Sequence, residues 1–302
     1  MSGPWHRGPR RWAIAVVCLG LAAGVMTTSG AQTAASAAAK PLRVLQMNLC
    51  DSGIARCYTG RSVAEAADVI RADEPDIVTL NEVCRDDVDL LDRTLTAVVD
   101  ADGGGVVVSA FKAADDRRTA GAYQCLNGQP YGIGLVVHIP AYRGYTTVSG
   151  IYPTQDLGDP EERAWLCLYA VGNFYACTTH LANTSPTVAL AQCGYLLHTI
   201  IPGVRERDGG LDPTVLGGDL NLRTAGPQDV RACVPAGYLQ RGDGGVQYVL
   251  ATIDFSLGSD RSIAMHGTTD HPGLFVALTS PSAPQHSPGP MRSADPSRTP
   301  GS

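Results

Sequence analysis

The sequence predicts an α/β domain whose strands end on polar residues at one sheet edge. Two observations lead there. Residues 42–80 read as strand, helix, strand, and residues 173–219 read the same way. In both units the strands close on Asn, Glu, His or Asp, where a loop-based protein would scatter such residues.

"LRVLQMNL" (42–49) is a short apolar strand ending at Asn48. In "SVAEAADVIRADEPD", Ser62 and Glu65 have capping-box spacing, and Val63, Ala66, Ala67 and Ile70 share one helical face. Pro75 blocks continuation, and "DIVTL" (76–80) is the next strand, ending at Asn81-Glu82. If the two strands are parallel, Asn48 and Glu82 leave at the same carboxyl edge, where open α/β sheets bind ligands. Further on, "NFYACTTH" (173–180) is rich in β-formers and ends at His180. Ser185-Pro186 starts a helix expected to run to about Ile201 and stop at Pro202-Gly203. "TVLGGD" is a strand ending at Asp219, with Asn221 two positions on. "ATIDFSL" (251–257) reads as a strand with Asp254 inside it, and Asp270-His271 precedes a last strand, "PGLFVALT".

The chain ends differ from this interior. Arg7, Arg10 and Arg11 precede an apolar run from about Trp12 to Val25, followed by small residues, the order of a secretory signal. Residues 1–39 are therefore expected to be a leader and spacer, cleaved after Ala31 or Ala37, with the mature protein extracellular. Residues 281–302 are rich in Pro and Ser and read as a disordered tail. One domain spans the interval 40–280. Loss of a leader with three arginines and no acid would move the formal charge from −6 to about −9. Such a chain has no global field for nucleic acid or an anionic membrane, and no stable membrane association is expected.

Of nine cysteines, Cys18 falls in the leader, and an even set in an exported chain suggests disulfides. No CxxC and no clustered histidines point to zinc. Cys167 and Cys177 flank "LYAVGNFYA", so a hairpin turning at Gly172 would pair them. Cys50 and Cys57 are close enough to shut a short loop; the other pairings stay open.

Singly, each polar residue has a plain explanation. An Asn after a strand forms turns, a Glu there is solvated, and Gly-Gly-Asp-Leu-Asn makes a bulge and an Asx turn. Asp254 resists this, since a carboxylate in a half-buried strand needs a partner; His271 is the candidate. Lys112, Arg117 and Arg118 are interleaved with acids, as in a solvated loop. Arg163 either faces a phosphate or pairs with Glu161 or Glu162. His138 reads as a surface residue and His198 as a structural one.

As an ordered set, these segments resemble the endonuclease/exonuclease/phosphatase superfamily. "LQMNLC", "PDIVTLNEVC", "TTHLA", "GGDLNLR", "TIDFSL" and "TTDHPGLFVAL" are similar to its six motifs, in its order, across 42–279. The sequence departs from the pattern with Asn81 where Gln is usual and Thr269 where Ser is usual. The resemblance implies a four-layer α/β/β/α sandwich that hydrolyses phosphate esters with a divalent cation, Mg²⁺ in most members, with Mn²⁺ or Ca²⁺ as substitutes. It implies Glu82 as main metal ligand, with Asn48 and Asp270 assisting. Asp219 and Asn221 would meet the phosphate. His271, oriented by Asp254, would act as base or phosphate holder, and His180 as the second histidine.

The substrate is less sharply marked. A phosphodiester in nucleic acid is the leading expectation. Cys84 lies near where deoxyribonucleases of the family carry a DNA-contacting arginine, with Arg85 adjacent. The inositol phosphatase branch lacks its tryptophan-cysteine-aspartate-arginine segment here, and no sphingomyelinase-like apolar hairpin is evident. Phospholipid or small phosphomonoester hydrolysis is the alternative, and a non-catalytic binding module the rival of another class.

Overall fold

The computed structural model describes residues 40–279 except 103, 211 and 227; the expected leader and the Pro/Ser-rich tail lie outside the described residues. The first part runs β1 (Leu42–Asn48), α1 (Ser62–Asp73), β2 (Ile77–Cys84), α2 (Arg85–Asp102), β3 (Val106–Ala113), β4 (Asp115–Asp116), β5 (Gly121–Ala122) and β6 (Tyr131–Ile139). The second runs β7 (Tyr145–Ile151), β8 (Glu161–Glu162), β9 (Ala164–Ala170), β10 (Phe174–His180), α3 (Pro186–Tyr195), α4 (Ile201–Arg207) and β11 (Thr214–Asp219). It closes with β12 (Tyr238–Gly242), β13 (Gln247–Thr252), β14 (Ser256–Ile263) and β15 (Gly273–Thr279).

Twelve of these strands form two six-stranded sheets, ordered β14-β15-β1-β2-β6-β3 and β12-β13-β11-β10-β9-β7. Their inner faces share one core, with Val44, Leu135, Val137 and Val276 from the first sheet against Leu166, Ala176, Val215 and Val249 from the second. On the outside of the first sheet, Ala66, Ile70, Val88, Leu91 and Leu95 of α1 and α2 cover Leu45, Val78 and Leu80. On the outside of the second, Ala189, Leu196, Leu197 and Ile201 cover Cys167, Cys177, Leu216 and Leu250. The result is the four-layer α/β/β/α sandwich. It explains why "VLQM" and "IVTL" are apolar without alternation: both faces of each sheet are covered.

The expected parallel pairs are present, β1 with β2 and β10 with β11. The hairpin β9–β10 turns at Gly172, whose φ of 71° suits a residue without Cβ, and it sets Cys167 opposite Cys177. These two pair, as do Cys50–Cys57, Cys84–Cys125 and Cys193–Cys233.

Three local expectations are corrected. Ser62 makes no capping bond; its Oγ donates to Asp51 Oδ1, and Arg61 is the N-cap. The helix from Pro186 does not stop at Pro202-Gly203. A π turn at Leu196–Ile200 widens it, the Ile201 N–H reaches back to Leu196 O, and Pro202 then opens α4 where its missing N–H costs little. "ATIDFSL" is not one strand. β13 ends at Thr252, Phe255 N donates to Thr252 O across a turn, and β14 begins at Ser256, leaving Asp254 exposed on that turn.

Candidate active site

Register alone brings the polar strand ends together. Asn48 lies opposite Asn81, His180 opposite Asp219, and Asp219 opposite Gln247. The two sheets then face each other so closely that Asn48 Nδ2 donates to both Glu82 Oε1 (2.8 Å) and Asp219 Oδ2 (3.1 Å).

Asn81 stitches this seam. Its Oδ1 accepts from Gln46 Nε2 and from the Asp219 backbone N–H, both at 2.7 Å, and its Nδ2 donates to Thr179 O at 3.0 Å. Gln46 also donates to Gln247 Oε1 at 2.8 Å. Each amide is fully buried and bonded, the condition under which a buried polar network stiffens a core.

Gly217 serves this approach of the sheets, Gly218 the close pairing of β11 with β10, and neither turns the chain. Both lie in β11 outside the left-handed region. A Cβ on Gly217 would stand 2.2 Å from Thr79 Oγ1 of the facing sheet, and one on Gly218 would stand 2.4 Å from Thr179 O. The turn comes later, at Asn221, with φ 49°. Its N–H bonds Asp219 Oδ1 (3.0 Å), while its side chain donates to Leu181 O (2.9 Å). Leu220 between them is buried in the outer core.

Glu82 occupies a bulge in β2, where the pairing with β6 shifts between Asn81 and Val83, and its φ is 54°. A left-handed non-glycine residue at a bulge is a strained device for aiming a side chain. The aim is into the site: Glu82 Oε1 lies 3.9 Å from His180 Nε2. Burial pushes its carboxyl above the usual range, and the Asn48 bond offsets this only in part. Burial likewise raises Asp219, against the nearby His271 and the bonds from Asn48, Asn221 and Gln247.

His180 and Arg163 form a buried pair, Arg163 Nη1 donating to His180 Nδ1 at 2.8 Å. Arg163 is 3% exposed and also meets Glu161 Oε1 (3.1 Å) and Asp159 Oδ2 (3.0 Å). It is therefore spent on protein groups, and the expected phosphate contact is corrected to a support for the histidine. Burial first, then the Arg163 and His271 charges, hold His180 well below its ordinary pKa. The ring is neutral, with its one proton on Nε2, facing the site.

His271 Nε2 lies 3.6 Å from Asp219 Oδ2 and 3.8 Å from Asp270 Oδ1. Asp254 is not its partner. β13 carries Gln247 at the site end, opposite Asp219, and Ala251 opposite Val215, so Asp254 lies beyond the far end of that strand. Gln247, whose Nε2 donates to Asp219 Oδ2 at 2.8 Å, is the β13 residue that reaches the site. Sequence reasoning missed it because "QYVLAT" was not read as the strand. Gln46 could have been found as the amide set between Leu45 and Met47 in an apolar strand. His138 sits at the opposite edge against Asp76 and Gly104 O, and His198 bonds Cys233 O; both are structural. Lys112, Arg117 and Arg118 are each paired with an acid.

The donor set suits a hard cation. Glu82 and Asp219 share the Asn48 amide, and Asp219 and the exposed Asp270 both lie beside His271; burial holds the two buried carboxyls above their ordinary pKa. Asn48 meets this set through its NH₂, since its Oδ1 accepts from Cys50 N at 3.1 Å. In this geometry it spaces the carboxylates and is not itself placed as an oxygen ligand. A cavity of about 470 Å³ around Arg43, Asp76 and His138, at the opposite edge, contains none of these groups.

A two-sheet sandwich with carboxylates, imidazoles and amides gathered at one edge defines a phosphoesterase class. The model of the Endonuclease/Exonuclease/phosphatase family matches residues 52–282, and the chain belongs to that family. No curated protein matches the sequence. Among solved structures, an endonuclease/exonuclease/phosphatase from Beutenbergia cavernae is 21% identical, with a TM-score of 0.56, 80% of this chain covered and 72% of the other. The human Nocturnin catalytic domain is 16% identical, TM-score 0.56, with 81% and 95% covered. A family member from Bacteroides vulgatus is 14% identical, TM-score 0.55, with 80% and 100% covered. At these identities the likeness is one of fold.

Proposed function

We propose that the protein is a secreted, divalent-metal-dependent phosphodiesterase acting on nucleic acid, Mg²⁺ being the physiological cation and Mn²⁺ or Ca²⁺ possible substitutes. The observation that carries the reading is the convergence of Glu82, Asp219, His180 and His271 on one gap between the two sheets. Four disulfides support an oxidising destination, in keeping with a leader at 1–39.

Glu82 would hold the cation, with Asp270 beside it and Asn48 fixing the spacing. The cation, when bound, neutralises phosphoryl charge and lowers the pKa of water. Asp219 orients the attacking water beside His271, which takes the place expected for a base or phosphate holder. Asn221 fixes the loop carrying Asp219. His180 donates its Nε2–H to a phosphate or leaving oxygen. It acts as a hydrogen-bond donor and not an acid, because losing that proton would leave an imidazolate. Water gives a proton to His271 as its oxygen adds to phosphorus, the ester P–O bond breaks, and the leaving oxygen takes a proton from solvent to depart as the alcohol.

The test uses the purified mature protein with plasmid DNA, RNA, sphingomyelin and bis-p-nitrophenyl phosphate, in Mg²⁺ or EDTA, beside His271→Ala. Cleavage of a nucleic acid that both EDTA and the substitution abolish is expected. Turnover of sphingomyelin alone would overturn the substrate; no turnover of any, by folded protein shown to bind Mg²⁺, would overturn the enzyme reading.

A further inference from the structure

Beside Glu82 and His180 a cavity of about 230 Å³ opens, which the chemistry above does not use. One wall is Tyr123, Tyr131, Asp159 and Glu161; the other is the loop at Ser52 and Ile54. Two disulfides frame it, Cys50–Cys57 closing the loop and Cys84–Cys125 tying the Tyr123 segment to β2. Whole-ligand sites span about 300–1,000 Å³, so this space suits one moiety of a substrate.

Its charge is unusual for a site next to phosphate. The one cation there, Arg163, is consumed by His180, Glu161 and Asp159. Asp159 and Glu161 share that one arginine, burial raising the Glu161 carboxyl to about 7, and among the described residues lining the space there is no other cation. Tyr123, half-buried, supplies aromatic surface of the kind on which bases stack, and the buried Tyr131 ring 5.4 Å away backs it. Glu161, 13% exposed, and Asp159, 16% exposed, supply acceptors for N–H and O–H groups.

Resting on the phosphodiesterase reading, we propose that this cavity is a subsite for a terminal nucleoside. It takes the uncharged, donor-bearing base or sugar esterified to the scissile phosphate on the His180 side. A strand continuing through it would carry its next phosphate past Asp159 and Glu161, whose carboxyl oxygens offer an anion acceptors in place of donors. The enzyme therefore acts at chain ends.

The experiment compares one single-stranded oligonucleotide in four forms: free hydroxyl ends, a 3′-phosphate, a 5′-phosphate, and a closed circle. Bis-p-nitrophenyl phosphate is the control. At least tenfold slower cleavage of the circle, and of one of the two phosphorylated forms, is expected, and Glu161→Gln and Asp159→Asn should shrink both differences. Equal rates on circle and open strand, or indifference to a phosphate at either end, overturn the subsite while leaving phosphodiester hydrolysis intact. Loss of the control reaction sinks the enzyme reading instead. Fluorescence-polarisation binding of the four forms then scores the end preference without turnover, equal binding overturning it.

Discussion

Arg163 Nη1 lies 2.8 Å from His180 Nδ1, and a guanidinium can only donate. The imidazole must therefore accept at Nδ1 and carry its proton at Nε2. Nitrogen NMR of the histidines should show His180 as the neutral Nε2–H tautomer from pH 6 to 8. Arg163→Gln should release the tautomer and cut kcat by about 10–100-fold, the usual cost of losing an orienting partner. A His180 Nδ1–H signal in the wild type would refute this.

The close approach of the sheets at Gly217 makes a second prediction. Gly217→Ala drives a methyl into Thr79 Oγ1 and should cost about 1–3 kcal/mol, the usual range for overpacking. It should lower activity as well, because Asn48 and Asp219 move apart. Adding Thr79→Ala should restore part of both losses. If the double variant is no better than the single one, another contact limits the approach.

Asp87, in the first turn of α2, titrates far from the ordinary range. Burial, then the neighbouring Asp51, raises it to about 7. The folded state thus favours the protonated form, and the stability this lends at low pH is lost as pH rises from about 4 to 7. Asp87→Asn should raise Tm at pH 8 by about 2–4 °C, equivalent to roughly 1 kcal/mol after discounting for partial exposure. At pH 4 it should change little. Equal Tm gains at both pH values would show that the charge is not the cause.

The disulfides divide by position. Cys193–Cys233 joins α3 to the segment after β11 with a separation of 40 residues, for which loop entropy suggests about 4 kcal/mol. Replacing both by Ser should lower Tm yet leave kcat/KM near wild type at 25 °C. Replacing Cys84 and Cys125 should also weaken substrate binding, since that bridge shapes the cavity beside Glu82. Steady-state kinetics beside thermal melts separates the two cases.

Much of this architecture was legible in the chain. The strand ends at Asn48, Glu82, His180 and Asp219 follow from apolar runs closing on polar residues. Parallel pairing then forces those residues to one edge. What stayed hidden depends on contacts between distant segments. Asp254 looked like a strand residue because Ile253 and Phe255 flank it, while the turn at Thr252–Phe255 is set by pairing with β11 and β15. Arg163 was expected to face a phosphate or to pair with Glu161 or Glu162; it took Glu161 and, unforeseen, Asp159, and its bond to His180 needed β9 and β10 side by side. Pro202 signalled a helix end that a π turn removed. Gln247 had no local mark at all.

The two sheets are not filled in chain order. The first takes β1, β2, β3 and β6, the second takes everything from β7 to β13 apart from the short β8, and the chain then returns to finish the first with β14 and β15. β1 has β15 as one of its two neighbours, so its edge waits for residues 273–279. His271 arrives with that strand. A chain emerging from the ribosome therefore carries Asn48 and Glu82 early, His180 and Asp219 midway, and no complete site until nearly all of the domain has been made. The candidate site is closed by the last strand to be made.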